Sequence, residues 1–165
     1  GIGSQPRTPL RFIPPTVSDY FKMPPIEKQV KLNHMKTIVK VICFVLLLVN
    51  GLGALYGGFL LMLDPSGSKM QMPLSYLEHS PFSNYLIPGI ILFIVNGLFS
   101  FVTIMTILFK NVHYYWFVII QGLLLSGWIL FQIILVRIFY APLHATFLII
   151  GLCLIGCGLY QMKHK

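Results

Sequence analysis

A chain of 165 residues that is 56% hydrophobic and only 10% charged lies outside the range of ordinary soluble domains, where about 25% of residues are charged. Its length suits one membrane bundle rather than two soluble domains, since four spans of about 20 residues each use most of it. The net charge of +8 gathers ahead of the first apolar run, a placement that suits topology and anionic headgroups better than nucleic acid.

Residues 1–34 carry prolines at both ends, Pro6, Pro9, Pro14 and Pro15 and then Pro24 and Pro25, without a convincing apolar period. They read as a basic, proline-containing cytoplasmic arm, extended or weakly ordered. Met35, followed by Lys36, Lys40 and a hydrophobic run, has the form of a natural start. Residues 1–34 are therefore a candidate non-native extension ahead of a transmembrane domain at 35–165. The charge-free run Val41–Leu63 covers 23 residues, longer than the ~7–15 of a signal-peptide core, so it reads as a retained span.

Three more charge-free runs follow, Leu86–Phe109, Asn111–Val136 and Ile138–Met162. Trimmed to helices, the four spans are expected at about 41–63, 86–109, 114–136 and 142–162, each able to cross about 30 Å of hydrocarbon. The tight later breaks force neighbouring helices to run antiparallel. With the N-terminus inside, ten Lys and Arg residues flank the inner ends (Arg7, Arg11, Lys22, Lys28, Lys31, Lys36, Lys40, Lys110, Lys163, Lys165) against Lys69 and Arg137 outside. Both termini are then cytoplasmic. Tyr114, Tyr115 and Trp116 would anchor the inner interface.

Within span one, Gly53 and Gly57 form a GxxxG pair, and Asn50, Ala54 and Gly58 form a second small stripe. Asn50-Gly51-Leu52 has echoes in Asn96-Gly97-Leu98, in Gln121-Gly122-Leu123 and, without the amide, in Gly151-Leu152. A buried amide in lipid seeks a partner, and the adjacent glycine lets another backbone approach. Asn50 and Asn96 would both lie near mid-depth, within reach of each other. Asn96, Ser100 and Thr103 share a helix face, and Gly122 with Ser126 and Cys153 with Cys157 are further small pairs. Asn50, Gly53, Gly57, Asn96, Ser100, Gln121 and Gln132 are thus the helix-packing or polar-path candidates.

The loop Asp64–Pro88 is the one long polar interruption. Asp64-Pro65-Ser66-Gly67 has turn chemistry: Asp caps its own backbone, Pro sets the next φ and Gly accepts the left-handed position. Pro73–Leu77 suits a short amphipathic helix on the outer interface. Ser80-Pro81-Phe82 and Ile87-Pro88-Gly89 suit the opening of helical segments. Asp64, Glu78 and His79 are the loop's candidate chemical groups, joined on the outer side by Arg137 and His144. Glu78 and His79 are adjacent, a spacing that does not aim two ligands from one helix face. No HExxH, CxxC or Gly-rich phosphate loop is present. No cofactor, metal or catalytic residue is therefore assigned. The three cysteines, Cys43, Cys153 and Cys157, fall inside apolar runs and read as buried small residues rather than a disulfide framework.

The loop pattern Asp64-Pro65-Ser66-Gly67, Pro73-Leu74-Ser75, Leu77-Glu78, Ser80-Pro81-Phe82 and Tyr85-Leu86-Ile87-Pro88-Gly89 resembles small four-span bacterial membrane proteins of unassigned function. That resemblance implies a four-helix topology in a bacterial cytoplasmic membrane and brings no site residues with it. The expected fold is an all-α membrane protein, a four-helix transmembrane bundle with one ordered extracytoplasmic loop. The expected role is non-enzymatic, an accessory or scaffold subunit bound to a membrane-protein partner, a second copy or lipid. No acidic or basic side chain sits mid-span, which weighs against ion-coupled transport. A transporter or channel lined by Asn50, Asn96, Gln121 and Gln132, and a membrane-embedded enzyme using Glu78 and His79, are the alternatives.

Overall fold

A computed structural model describes residues 25–136 and 141–164. The chain divides into two compact units, Gly1–His34 and Met35–Lys165. Arg137, expected near the outer membrane surface, lies outside the described residues.

Four helices make up the described chain: α1 (Ile26–Leu63), α2 (Leu86–Leu108), α3 (Tyr114–Val136) and α4 (Ala141–Lys163). All four are long and apolar enough to cross a membrane. The helix α1 begins well before the charge-free run at Val41. Pro25 accepts the first turn's bond from the Gln29 amide at 3.1 Å, and Glu27 lies where the helix dipole favours an acid. Charge shortens a membrane span, but it does not stop a helix that leaves the membrane.

Pairwise contacts fix how the helices of the second unit run. Gly51 faces Ser100 and Phe101, Gly97 faces Leu55, and Gly58 faces Gly89 and Phe93, so α1 and α2 are antiparallel. Gln121 meets Asn96 and Phe117 meets Phe99, which pairs α3 with α2. Gly122 faces Gly151 and Ile119 faces Gly158, pairing α4 with α3. Gln161 reaches Cys43 and Phe147 lies by Gly53, returning α4 to α1. The result is an up-down-up-down ring, as short connections require.

The core packs Cys43, Leu47, Ile104, Val118, Leu125, Ile129, Ile150 and Leu154 between the helices, and Leu125 and Ile129 reach the loop-side half. Outward faces carry large apolar residues such as Val49, Leu52, Phe59, Ile94, Val102, Leu123 and Leu152, all exposed. That is the inverse of a soluble surface and matches a lipid solvent.

Between α2 and α3, Lys110 adopts φ +53° where a glycine is usual, and the Asn111 amide bonds back to the Thr106 carbonyl at 3.0 Å. The Asn111 side chain then accepts from the His113 amide at 2.9 Å and opens α3. Within α2, residues Leu92–Leu98 widen into π turns. Such widening inside a helix frequently marks a functional place.

Candidate functional site

The π turns place Asn96 at the centre of a buried amide cluster. Asn50 Nδ2 donates to the Asn96 backbone carbonyl (3.3 Å) and to Ser100 Oγ (2.9 Å). Ser100 Oγ donates to that same carbonyl at 2.7 Å, and Gln121 Nε2 donates to Asn96 Oδ1 at 3.4 Å. Asn50, Asn96, Ser100 and Gln121 are each 1% exposed or less. The expected Asn50–Asn96 contact is present, but through the Asn96 main chain rather than its side chain. The orientation of the Asn50 amide is forced. A carbonyl oxygen can only accept, and the single Ser100 proton is directed to it, so turning the amide would set oxygen against oxygen. Asn50 Oδ1 is therefore left without a protein partner, as are Asn96 Nδ2, Gln121 Oε1 and Trp128 Nε1.

The echoed amide-glycine motif acquires a meaning here. Gly51, Gly97, Gly122 and Gly151 all lie at close interhelical approaches. A methyl group at Gly122 would come within 2.7 Å of the Gly151 carbonyl oxygen. Each amide is thus followed by the glycine that lets its helix come near enough to bond. Interhelical hydrogen bonds in lipid are worth about 0.6 kcal/mol on average, so the cluster specifies register more than it adds stability.

Gly53 and Gly57 do something different. A methyl at either would make only ordinary contacts, 3.5 Å from Phe147 and 3.6 Å from Leu92. Both instead line a cavity of about 550 Å3. Its floor is Asn50, and its walls include Ala54 and Leu61 from α1, Leu92 from α2, Leu125, Trp128, Ile129 and Gln132 from α3, and Leu143, His144 and Phe147 from α4. Met70, Gln71, Met72 and Tyr76 line it on the loop side. Among the described residues, no Lys, Arg, Asp or Glu lines it. Gln132 therefore belongs to the cavity, while Asn96, Ser100 and Gln121 lie below it in the bonded cluster.

The roof is a folded loop. Gly67, at φ +77°, accepts the Met70 and Met72 amides on its carbonyl, each at 3.0 Å. Tyr85 donates its hydroxyl to the Pro73 carbonyl at 3.0 Å and its amide to the Pro65 carbonyl at 2.9 Å. It forms a buried cluster with Leu61 and Leu77, against which Met70, Met72, Phe82 and Leu92 pack. Leu74–Leu77 forms a short 3-10 turn with Leu77 buried. Ser80–Phe82 makes a turn rather than a helix start, because the Ser80 hydroxyl donates to the Leu77 carbonyl (2.9 Å) and accepts from the Phe82 amide (3.2 Å). Helix α2 opens later, at Leu86, where Asn84 Oδ1 accepts the Leu86 amide at 3.0 Å and Pro88 takes the first turn. Glu78 and His79 are exposed on this loop and do not line the cavity.

Asp64 organises the turn. Its Oδ1 accepts from Ser66 Oγ (2.5 Å) and the Ser66 amide (3.2 Å), and its Oδ2 accepts from the Lys69 amide at 2.8 Å. The Ser66 hydroxyl, with help from the Lys69 amide, holds this carboxyl below its ordinary value. A depressed folded value means that its contribution is complete above the unfolded value and is lost as pH falls through the folded one. Amide-exchange protection at Ser66 and Lys69 should therefore stay constant from neutral pH down to about 4, the ordinary carboxylate value, and fall only below it. The Asp64→Ala variant should lack that protection at every pH. Loss of protection beginning near pH 6 in the parent would show that another group holds the turn.

Tyr85, which holds the loop, and Trp128, which lines the cavity, are positions that sequence reasoning passed over. Each is one aromatic among many, and only the loop fold and the rotation of α3 single them out. Comparison with protein-family models, curated proteins and solved structures finds no match in any of the three.

Proposed function

We propose that this is a non-enzymatic integral membrane protein that acts as an accessory binding unit, holding a membrane-soluble molecule, a lipid or similar amphiphile, in the cavity beneath its loop. The cavity carries this reading. Its volume of about 550 Å3 falls within the ~300–1,000 Å3 range of ligand sites. Its wall is mainly apolar with a few polar groups, the usual composition of a small-molecule site. The amide cluster, whose members bond to one another within an apolar core, supports a closed floor more than a conducting path.

A side chain at Gly57 would grow into the cavity without meeting backbone. The Gly57→Leu variant should therefore keep the fold, with an unchanged or raised melting temperature, and lose the lipid that native mass spectrometry finds on the parent. Equal lipid occupancy of parent and variant would overturn the proposal.

The charge count supports a loop outside the cell membrane with both termini in the cytoplasm. The loop's likeness to small bacterial four-span proteins favours a bacterial cytoplasmic membrane. With Ser68 exposed, the Ser68→Cys variant should react with an impermeant maleimide added to intact cells. Labelling only after lysis would invert the topology.

A further inference from the structure

We infer that Cys43 and Cys157 form a redox-active dithiol at the Lys40–Lys163 end of the bundle, which closes to an α1–α4 disulfide by passing two electrons to a lipid-soluble quinone. The inference is independent of the cavity, whose lining includes neither cysteine.

Three cysteines lie on apolar helices, and the fold brings two of them together. The Cys43 and Cys157 thiols make a side-chain hydrogen-bond contact between α1 and α4. Cys43 belongs to the buried core cluster, Cys157 packs against that cluster, and both thiols are free. Gln161, 4% exposed, donates Nε2 to Cys43 Sγ at 3.4 Å, and its Oε1 has no protein partner. A thiol sulfur is a weak acceptor, so this bond is weak in the resting protein. It strengthens when the sulfur carries negative charge, as an attacking sulfur does. The buried amide thus suits the reacting state of Cys43 better than the resting one. Cys153, one turn from Cys157 on α4, is exposed and serves as an internal control.

The position of the pair selects the oxidant. Cys43 lies three residues past Lys40 and Cys157 six before Lys163, about 5 and 9 Å along their helices. Both sulfurs are therefore within reach of the hydrocarbon edge. Cys43 is fully buried, while Cys157 is partly exposed on a helix whose outward residues include Leu152 and Leu159. An oxidant meets Cys157 first and arrives through lipid. Desolvation keeps a charged disulfide such as oxidised glutathione out of that phase, whereas a quinone is neutral and apolar. Two S–H bonds break and one S–S bond forms. The two electrons and two protons go to the quinone carbonyl oxygens, which become the hydroxyls of a quinol.

The experiment uses the full chain in lipid nanodiscs, reduced and then freed of reductant, with decylubiquinone, whose fully substituted ring resists addition of thiols. After acid quenching and unfolding, free thiols are alkylated and the peptides mapped by mass spectrometry. The expected result is one quinol formed per chain, a linked Cys43–Cys157 peptide pair, loss of alkylation at both and unchanged alkylation at Cys153. The Cys157→Ser variant should form no quinol, and Cys153→Ser should form as much as the parent. The bridged protein should melt at a higher temperature than the reduced one, because a link between the first and last helices restricts the unfolded chain.

Cys43 and Cys157 left free after treatment with the quinone and with copper phenanthroline, a general thiol oxidant, would overturn the inference. So would a link that involves Cys153. Bridging by copper phenanthroline or oxidised glutathione but not by the quinone would overturn the quinone as acceptor. The peptide map of the parent protein needs no variant to fold.

Discussion

The Gly122→Ala variant is expected to lose about 3 kcal/mol of stability, although it adds one methyl group and improves helix propensity. The added carbon would lie 2.7 Å from the Gly151 carbonyl oxygen, 2.8 Å from Ile155 Cγ1 and 2.9 Å from the Ile155 nitrogen. Two of these are main-chain atoms, so relief requires α3 and α4 to separate rather than a side chain to turn. Overpacking of this kind costs about 1–3 kcal/mol, and a backbone collision belongs at the upper end. Separation would also pull Gln121, on the same helix, from Asn96. The control is Gly127→Ala on the same helix, where nothing lies within 4 Å of the added carbon. That variant should be neutral or gain up to about 1 kcal/mol, the glycine-to-alanine difference in helix propensity. Denaturant titration in micelles reads both. If the two variants unfold alike, the α3–α4 contact is not the close approach described here.

Much of the bundle is legible from composition alone, because lipid imposes one rule on every span: apolar for about 20 residues, with the backbone satisfied internally. Helices α2, α3 and α4 begin and end within a few residues of the polar breaks that bound them. The turn at Asp64–Gly67 is legible for a similar reason, since Asp, Pro and Gly each restrict the backbone locally. Small-residue spacing is less informative. Gly53 and Gly57 make the plainest GxxxG pair in the chain, yet they border a cavity, while Gly58, Gly89, Gly122 and Gly151 form the tight contacts. Spacing tells which residues share a helix face and is silent on what opposes that face. The opposing surface depends on the rotation of a second helix, and a wide apolar stripe constrains rotation weakly.

The cavity was not legible for the same reason, compounded by the loop. Its lining draws on all four helices and on residues 70–72 and 76, and no local pattern joins these positions. Amides fare better. Asn50, Asn96 and Gln121 stand out because an unpaired amide in hydrocarbon is costly, so their meeting could be anticipated from equal depth. What could not be anticipated was that Asn50 would reach a main-chain carbonyl, because the π turns of Leu92–Leu98 are not written in any single residue.

The loop then decides whether the cavity is closed, and Tyr85 is where the loop is held. The ring is 2% exposed and packs with Leu61 and Leu77 on one cluster that also includes Met70 and Met72. Those two methionines also line the cavity, so one aromatic ring supports its roof from behind. Burial, with a smaller contribution from nearby Tyr76, raises the phenol above its ordinary value and keeps it a neutral donor to Pro73. Removing the ring in Tyr85→Ala is expected to cost about 3–5 kcal/mol, the range for emptying a buried aromatic site. Tyr85→Phe keeps the ring and should lose only about 1 kcal/mol, the net worth of one hydrogen bond. The two variants separate packing from bonding, and the cavity adds a second readout. Tyr85→Ala should release bound lipid and expose Lys69 to trypsin, whereas Tyr85→Phe should retain lipid and stay resistant. If Tyr85→Ala holds its lipid as the parent does, the roof is supported from the bundle side, through Tyr76 and Gln71, and the tyrosine anchors the loop without governing the cavity.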